Sequence, residues 1–234
     1  MARVLVTRTA PGAASTAARL EAMGHKAVLA PALRIEMLPA SPDASAFDAL
    51  LFTSSNGVLA FAAASADRTR PAWCVGEATA QAATAAGFAE VHAAAGDLQR
   101  LAAAIGAATA GAGRFLHVAG ADLAGDLAGL LRAQGHSVVT RAFYRAVENA
   151  ALPDAVEDLL RETPPGLDAV LFHSARGAAA FAKQVKRRDA LARIDALCLS
   201  AAVARAACGL TWRRVAIAGE PLDSALLALL PAAH

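Results

Sequence analysis

Short apolar runs recur along the chain, and stretches of helical character separate many of them. The runs are Val4–Val6, Ala27–Ala30, Ala49–Phe52, Trp73–Val75, Phe115–Val118, Val138–Thr140, Ala169–Phe172, Leu197–Leu199 and Val215–Ala218. Each is short and apolar at successive positions, so both faces would be covered, as in a parallel strand between helix layers. Ala13–Met23, Ala78–Ala86, Leu98–Ala108, Leu123–Gln134 and Ala178–Lys186 suit the intervening helices. Alanine supplies much of the 56% hydrophobic content, and it loses no rotamer entropy in a helix. This alternation predicts βαβ units around parallel sheets.

The pattern also repeats itself. Arg3-Val-Leu-Val and Arg114-Phe-Leu-His open two units at an offset of 111, and Gly24-His25 returns at the same offset as Gly135-His136. Farther along, Asp48-Ala-Leu-Leu-Phe-Thr-Ser54 matches Asp168-Ala-Val-Leu-Phe-His-Ser174 at an offset of 120, followed in each case by a shared Gly and Ala-Phe-Ala. Two segments, Leu33–Leu38 and Arg141–Val147, alternate polar and apolar residues, as exposed extended chain does. They read as a two-stranded linker. The expected fold is therefore α/β, two flavodoxin-like lobes with parallel sheets, related by internal duplication. Residues 1–34 and 148–234 would form a discontinuous lobe and 39–141 the other. Segments 33–39 and 141–148 would be hinge linkers, with a site in the cleft between the lobes.

Several function classes lack support. A formal net charge of +2 with no run of five like charges gives no nucleic-acid footprint. The run after Met1-Ala2-Arg3 is too short for a secretory core, and no window has the roughly 18 to 20 apolar residues of a membrane span. A cytoplasmic protein is expected. Cys74, Cys198 and Cys208 are too few and irregular for a disulfide framework. The histidines, at 25, 92, 117, 136, 173 and 234, show no metal-ligand spacing. His25 and His136 follow helix-ending glycines and read as surface imidazoles. Gly120–Gly125 has phosphate-loop spacing, but Asp126 and Leu127 stand where Lys and Ser or Thr are required.

Chemistry is expected at strand-to-helix turns. Phe52-Thr53-Ser54-Ser55-Asn56-Gly57 places hydroxyls where the first turn of a helix has free N–H groups. Those amides can be capped, or can hold a carboxylate or phosphate with help from the helix dipole. Phe172-His173-Ser174-Ala175-Arg176-Gly177 repeats the arrangement and adds a cation. Val75-Gly76-Glu77 is a third such turn, where Gly76 would let a ligand approach the backbone. Tyr144, the one tyrosine, lies in the second linker between Arg141 and Arg145. It is either an ordinary extended-chain residue or a phenol able to donate a proton.

These residues together resemble the uroporphyrinogen-III synthase family. The resemblance rests on Val4-Leu-Val-Thr-Arg8, Phe52–Gly57, Val75-Gly-Glu-Ala-Thr-Ala80, Arg141-Ala-Phe-Tyr144-Arg145, Phe172–Gly177 and Ala218-Gly-Glu-Pro221, which occur in order over nearly the whole chain. It implies cyclisation of hydroxymethylbilane, a linear tetrapyrrole with eight carboxylates, to uroporphyrinogen III. The terminal hydroxyl leaves as water, and the last pyrrole ring is inverted through a spiro intermediate. No metal or organic cofactor is implied, and the expected protein is a monomer. Carried over by position, Tyr144 would protonate the leaving hydroxyl. Arg8, Thr53, Ser54, Asn56, Gly76, Ser174 and Arg176 would hold acetate and propionate groups. The chain departs from the family in two places. His173 stands where the second copy commonly has threonine, and Leu199-Ser-Ala-Ala-Val-Ala204 lacks the usual glycine and threonine. Two other readings use similar features: a non-catalytic two-lobed binder of a small anion, and a flavodoxin-like regulatory module. The latter would need an acidic cluster at the strand ends.

Overall fold

The computed structural model describes residues 1–40, 42–94, 97–123 and 125–231. His234 lies outside the described residues, as does Ala124 within the expected helix at 123–134. The chain divides into two compact units, Met1–Arg34 with Val147–His234, and Ile35–Ala146.

In the first unit, β1 (Arg3–Val6), β2 (Lys26–Leu29), β9 (Ala169–Phe172), β10 (Asp195–Cys198) and β11 (Arg214–Ile217) form a sheet in the order β11-β10-β9-β1-β2. Every pairing in it is parallel. Helices α1 (Gly12–Ala22), α6 (Asp154–Arg161), α7 (Ala175–Gln184) and α8 (Ala201–Ala207) lead from strand to strand, and α9 (Asp223–Leu227) follows the last strand. The central strands β9 and β10 are buried at all four positions, as an apolar run between helix layers requires. The edge strands differ from expectation. Leu29, Val215 and Ile217 are 40–48% exposed, because an edge strand has a neighbour on one side only.

The second unit has β3 (Leu33–Met37), β4 (Ala49–Phe52), β5 (Ala72–Val75), β6 (Val91–Ala94), β7 (Arg114–Gly120) and β8 (Ser137–Glu148), ordered β3-β8-β7-β4-β5-β6. The run from β8 to β6 is parallel. Helices α2 (Ser55–Ala64), α3 (Glu77–Ala85), α4 (Leu98–Ala108) and α5 (Leu127–Arg132) connect these strands. Phe52, Phe61, Phe88 and Phe143 fill the core with ring centroids 5.5–6.1 Å apart, mostly edge-on or tilted, as aromatic quadrupoles favour. The Val138–Thr140 run and the alternating segment after it are one twelve-residue strand, β8, with β3 beside it.

Both units close one βα unit in the same way, β1–α1 in the first and β7–α5 in the second. Gly24 and Gly135 take positive φ, 78° and 88°, which releases the chain from helix at no Cβ cost. The next residue then turns inward. His25 Nδ1 accepts the Ala2 N–H at 3.2 Å, and His136 Nδ1 accepts the Gly113 N–H at 3.1 Å. Both imidazoles are buried, which corrects their reading as surface groups. Asp168 likewise accepts the Arg3 N–H at 2.8 Å, and Asp48 the Arg114 N–H at 2.7 Å.

Candidate functional site

In the second unit the parallel strands end at a groove of about 900 Å³. The β4 chain leaves the sheet at Thr53, and Ser54 is fully extended, with φ −157° and ψ 154°. That geometry lets Ser54 Oγ accept the Gly57 N–H at 3.3 Å and start α2. A Cβ at Gly57 would lie 2.8 Å from the Val118 carbonyl oxygen, so glycine is what allows the helix to sit this close to β7.

Tyr144 reaches the same groove through an irregularity in β8. Ala119 pairs with Ala142, but Gly120 pairs with Tyr144, so one extra residue, Phe143, is accommodated. A bulge of this kind re-aims the side chains that follow it. Phe143 turns into the core, and the Tyr144 ring lies against Gly120, where a Cβ would come within 3.0 Å of the ring. The phenol oxygen is 2.7 Å from Ser54 Oγ. Neighbouring Arg145 is engaged by Glu36 at 2.8–2.9 Å.

His117, on β7, also lines the groove. Its ring nitrogens stand 3.5 Å from the hydroxyls of Thr53 and Thr140. Burial pushes its pKa down to about 4, so the imidazole is neutral near pH 7. Asp97, Asp122 and Asp126 also line the groove, an acidic set near strand ends that no sequence pattern marks. Asp97 and Asp126 cap α4 and α5 by accepting the N–H groups of Arg100 and Gly129. Among the described residues, no group of three or more His, Cys, Asp or Glu is arranged to hold a metal ion.

The first unit has a smaller pocket, about 210 Å³, whose wall includes Arg8, Thr9, His173 and Ser174. Ser174 repeats Ser54: it is extended, and its Oγ accepts the Gly177 N–H at 3.0 Å at the start of α7. His173 Nε2 lies 2.8 Å from Asp223 Oδ1. Asp223 also meets Arg19 at 3.1 Å, Thr16 at 3.2 Å and Arg8 at 3.5 Å. Burial opposes ionisation of Asp223, but the hydrogen bond from His173 and the charge of Arg8 outweigh it and hold its pKa low. Burial lowers the Arg8 pKa, against the pull of Asp223.

Thr53, Ser54 and Tyr144 thus share one groove, and Arg8 and Ser174 share the smaller pocket. Asn56 and Arg176 sit on the first turns of α2 and α7, and neither lines these cavities. Gly76 has φ 76° and open space beside it, but its own N–H is bonded to the Ala94 carbonyl. Asp223 and His117 were missed. Asp223 is 50 residues from its partner His173, and His117 is 64 residues from Thr53, inside an apolar run that gives no sign of the contact.

Two sheets of mainly parallel strands, with hydroxyl-capped helix starts at the carboxyl ends of strands, define an α/β protein whose candidate site lies at its strand ends. One such end also carries a tyrosine–serine pair. The family model described as uroporphyrinogen-III synthase HemD matches residues 14–228. The chain belongs to the uroporphyrinogen-III synthase family, enzymes that act as cyclising hydro-lyases in porphyrin biosynthesis. Among solved structures, it is similar to the uroporphyrinogen-III synthetase of Helicobacter pylori, with TM-score 0.66, 17% identity, and 98% of each chain covered. A mutant uroporphyrinogen III synthase of the extremely thermophilic bacterium Thermus thermophilus is 21% identical over 98% of this chain and 97% of its own, with TM-score 0.49. No curated protein sequence matches. Among the described residues, no helix is long and apolar enough to cross a membrane.

Proposed function

We propose that the groove of the second unit is where hydroxymethylbilane loses its hydroxyl, with Tyr144 as the proton donor. The observation that carries this reading is the 2.7 Å contact between Tyr144 Oη and Ser54 Oγ at the start of α2. Ser54 Oγ already accepts the Gly57 N–H, so its own proton is free to point at the phenol oxygen. The Tyr144 proton is then available to the departing hydroxyl, which leaves as water. The phenolate so formed takes a hydrogen bond from Ser54 near the positive end of the helix dipole. The azafulvenium cation left behind is attacked by the last pyrrole ring, the phenolate regains the proton that the closing macrocycle loses, and the protein's task is to hold the chain in the inverting geometry.

Thr53, Ser54, Asn56 and Gly76 would receive carboxylates at the starts of α2 and α3, and Arg8, Ser174 and Arg176 would do so in the first unit. Asp97, Asp122 and Asp126 would repel carboxylates and favour the uncharged pyrrole edges beside them. The same reading has the protein act as a cytoplasmic monomer, with no cofactor and no nucleic-acid partner. It keeps the division into residues 1–34 with 148–234 and residues 39–141, joined by linkers at 33–39 and 141–148. Internal duplication belongs to this reading, supported by the matching strand orders and the paired His25/His136 and Asp168/Asp48 contacts.

Tyr144→Phe tests the assignment. A positioned acid contributes about 10² to 10⁴-fold, and the hydroxyl of an electron-rich pyrrole already tends to leave, so the type III rate should fall about ten- to a thousandfold. Substrate affinity should change little. A wild-type rate would remove Tyr144 from the chemistry.

A further inference from the structure

His173 has a feature that helix capping and carboxylate binding leave unused. Its side chain is 8% exposed, and Nε2 is held by Asp223 at 2.8 Å. Asp223, gathered among Arg8, Arg19 and Thr16, is an ionised acceptor. It has no proton to give, so the hydrogen in that contact belongs to His173 Nε2. Burial lowers the His173 pKa, which keeps the ring neutral near pH 7, so it must present Nδ1 as a bare lone pair. Nδ1 is buried and has no hydrogen-bond partner among the described residues. An orphan acceptor of this kind is costly in an empty protein and is satisfied when a donor arrives. The ring borders the pocket shared by Arg8 and Ser174.

We propose that His173, with its tautomer set by Asp223, is a substrate-positioning residue whose Nδ1 accepts a hydrogen bond from an N–H or O–H of the bound tetrapyrrole. The proposal rests on the family reading and extends it. A carboxylate, itself an acceptor, cannot fill this position while the ring is neutral. A pyrrole N–H can, and so can the hydroxymethyl O–H. Beside the cationic and amide donors of Arg8 and the α7 start, His173 therefore gives the pocket a second kind of recognition, which orients a ring as well as its acid side chain. Asp223 acts through His173 and is a positioning residue one step removed.

The test is ¹⁵N NMR of histidine-labelled full-length protein, titrated anaerobically with uroporphyrinogen III, which keeps pyrrole N–H groups but has no hydroxymethyl group. Free protein should show His173 protonated at Nε2 only. Added product should move the Nδ1 resonance. In steady-state assays with hydroxymethylbilane, His173→Phe should raise KM roughly three- to tenfold with kcat nearly unchanged. His173→Gln, whose amide oxygen can accept, should recover part of the loss. An Nδ1 resonance that ignores product, together with a raised KM in His173→Phe, assigns the donor to the hydroxymethyl O–H. A silent Nδ1 with unchanged KM overturns the proposal while leaving type III synthesis intact. Failure of the wild-type protein to make type III product would instead sink the family reading beneath it.

Discussion

Ser54 and Ser174 perform the same structural task and differ in what else they touch. Each starts a helix by accepting an N–H three residues on, and losing such a cap costs about 1 kcal/mol. Only Ser54 meets a phenol. Ser54→Ala and Ser174→Ala should therefore lose similar stability in urea, while Ser54→Ala alone lowers kcat, by roughly three- to tenfold. Equal kcat in the two variants would detach Ser54 from the chemistry. His117 gives a pH signature. Its pKa falls from 6.5 unfolded to about 4 folded, because burial disfavours the charged ring. The unfolded chain thus binds the proton more readily. His117 supports the fold fully above 6.5 and loses that support as pH drops toward about 4, by roughly 3 kcal/mol. Urea titrations across this range should show the loss, and His117→Leu should shrink it. An unchanged slope would mean the ring is already hydrated. Thr53 and Ser54 could be picked from the sequence because they follow an apolar strand at a helix start, and Tyr144 because it is the one tyrosine and lies between two arginines. Their meeting could not. Ser54 and Tyr144 are 90 residues apart, and the contact depends on a bulge that no residue pattern announces.

Strands β4 and β9 fall at residues 49–52 and 169–172, where the sequence places them. Each lies between an aspartate that bonds a neighbouring strand's backbone and the turn leading to a capping serine. Strand β6 was missed, because Val91-His92-Ala93-Ala94 carries alanine, which argues for helix when taken locally. Sheet pairing with β5 overrides that preference. Helix α5 is shorter than the alanine and leucine pattern suggests, because Asp126 caps it at Leu127. The paired histidines that close β1–α1 and β7–α5 are the least legible devices, since a Gly-His dipeptide is ordinary at a helix end. Removing one leaves a buried backbone N–H without an acceptor, at about 1–3 kcal/mol. His136→Leu should lower the unfolding free energy by that amount, and His25→Leu should do the same. A loss under a few tenths of a kcal/mol in both would show that water replaces the ring.

The whole chain presents two parallel sheets with their strands in corresponding order, β11-β10-β9-β1-β2 and β6-β5-β4-β7-β8, the second extended by β3. The repeat offsets of 111 and 120 already carried that correspondence, because Asp, Phe, Ser and Gly recur at positions where the fold has little freedom. What distinguishes the two halves is chemical: Tyr144, Ser54 and His117 in one, and Arg8, His173 and Asp223 in the other. Such a protein needs positioned donors and a shaped groove, and its activity should survive exhaustive chelation and gel filtration. The most direct measurement is isomer analysis. Hydroxymethylbilane, freshly generated, is incubated with the chelated protein, and the products are oxidised and separated. The account predicts uroporphyrinogen III in large excess over the type I isomer that forms spontaneously. Type I product alone, at the rate seen without protein, would contradict it.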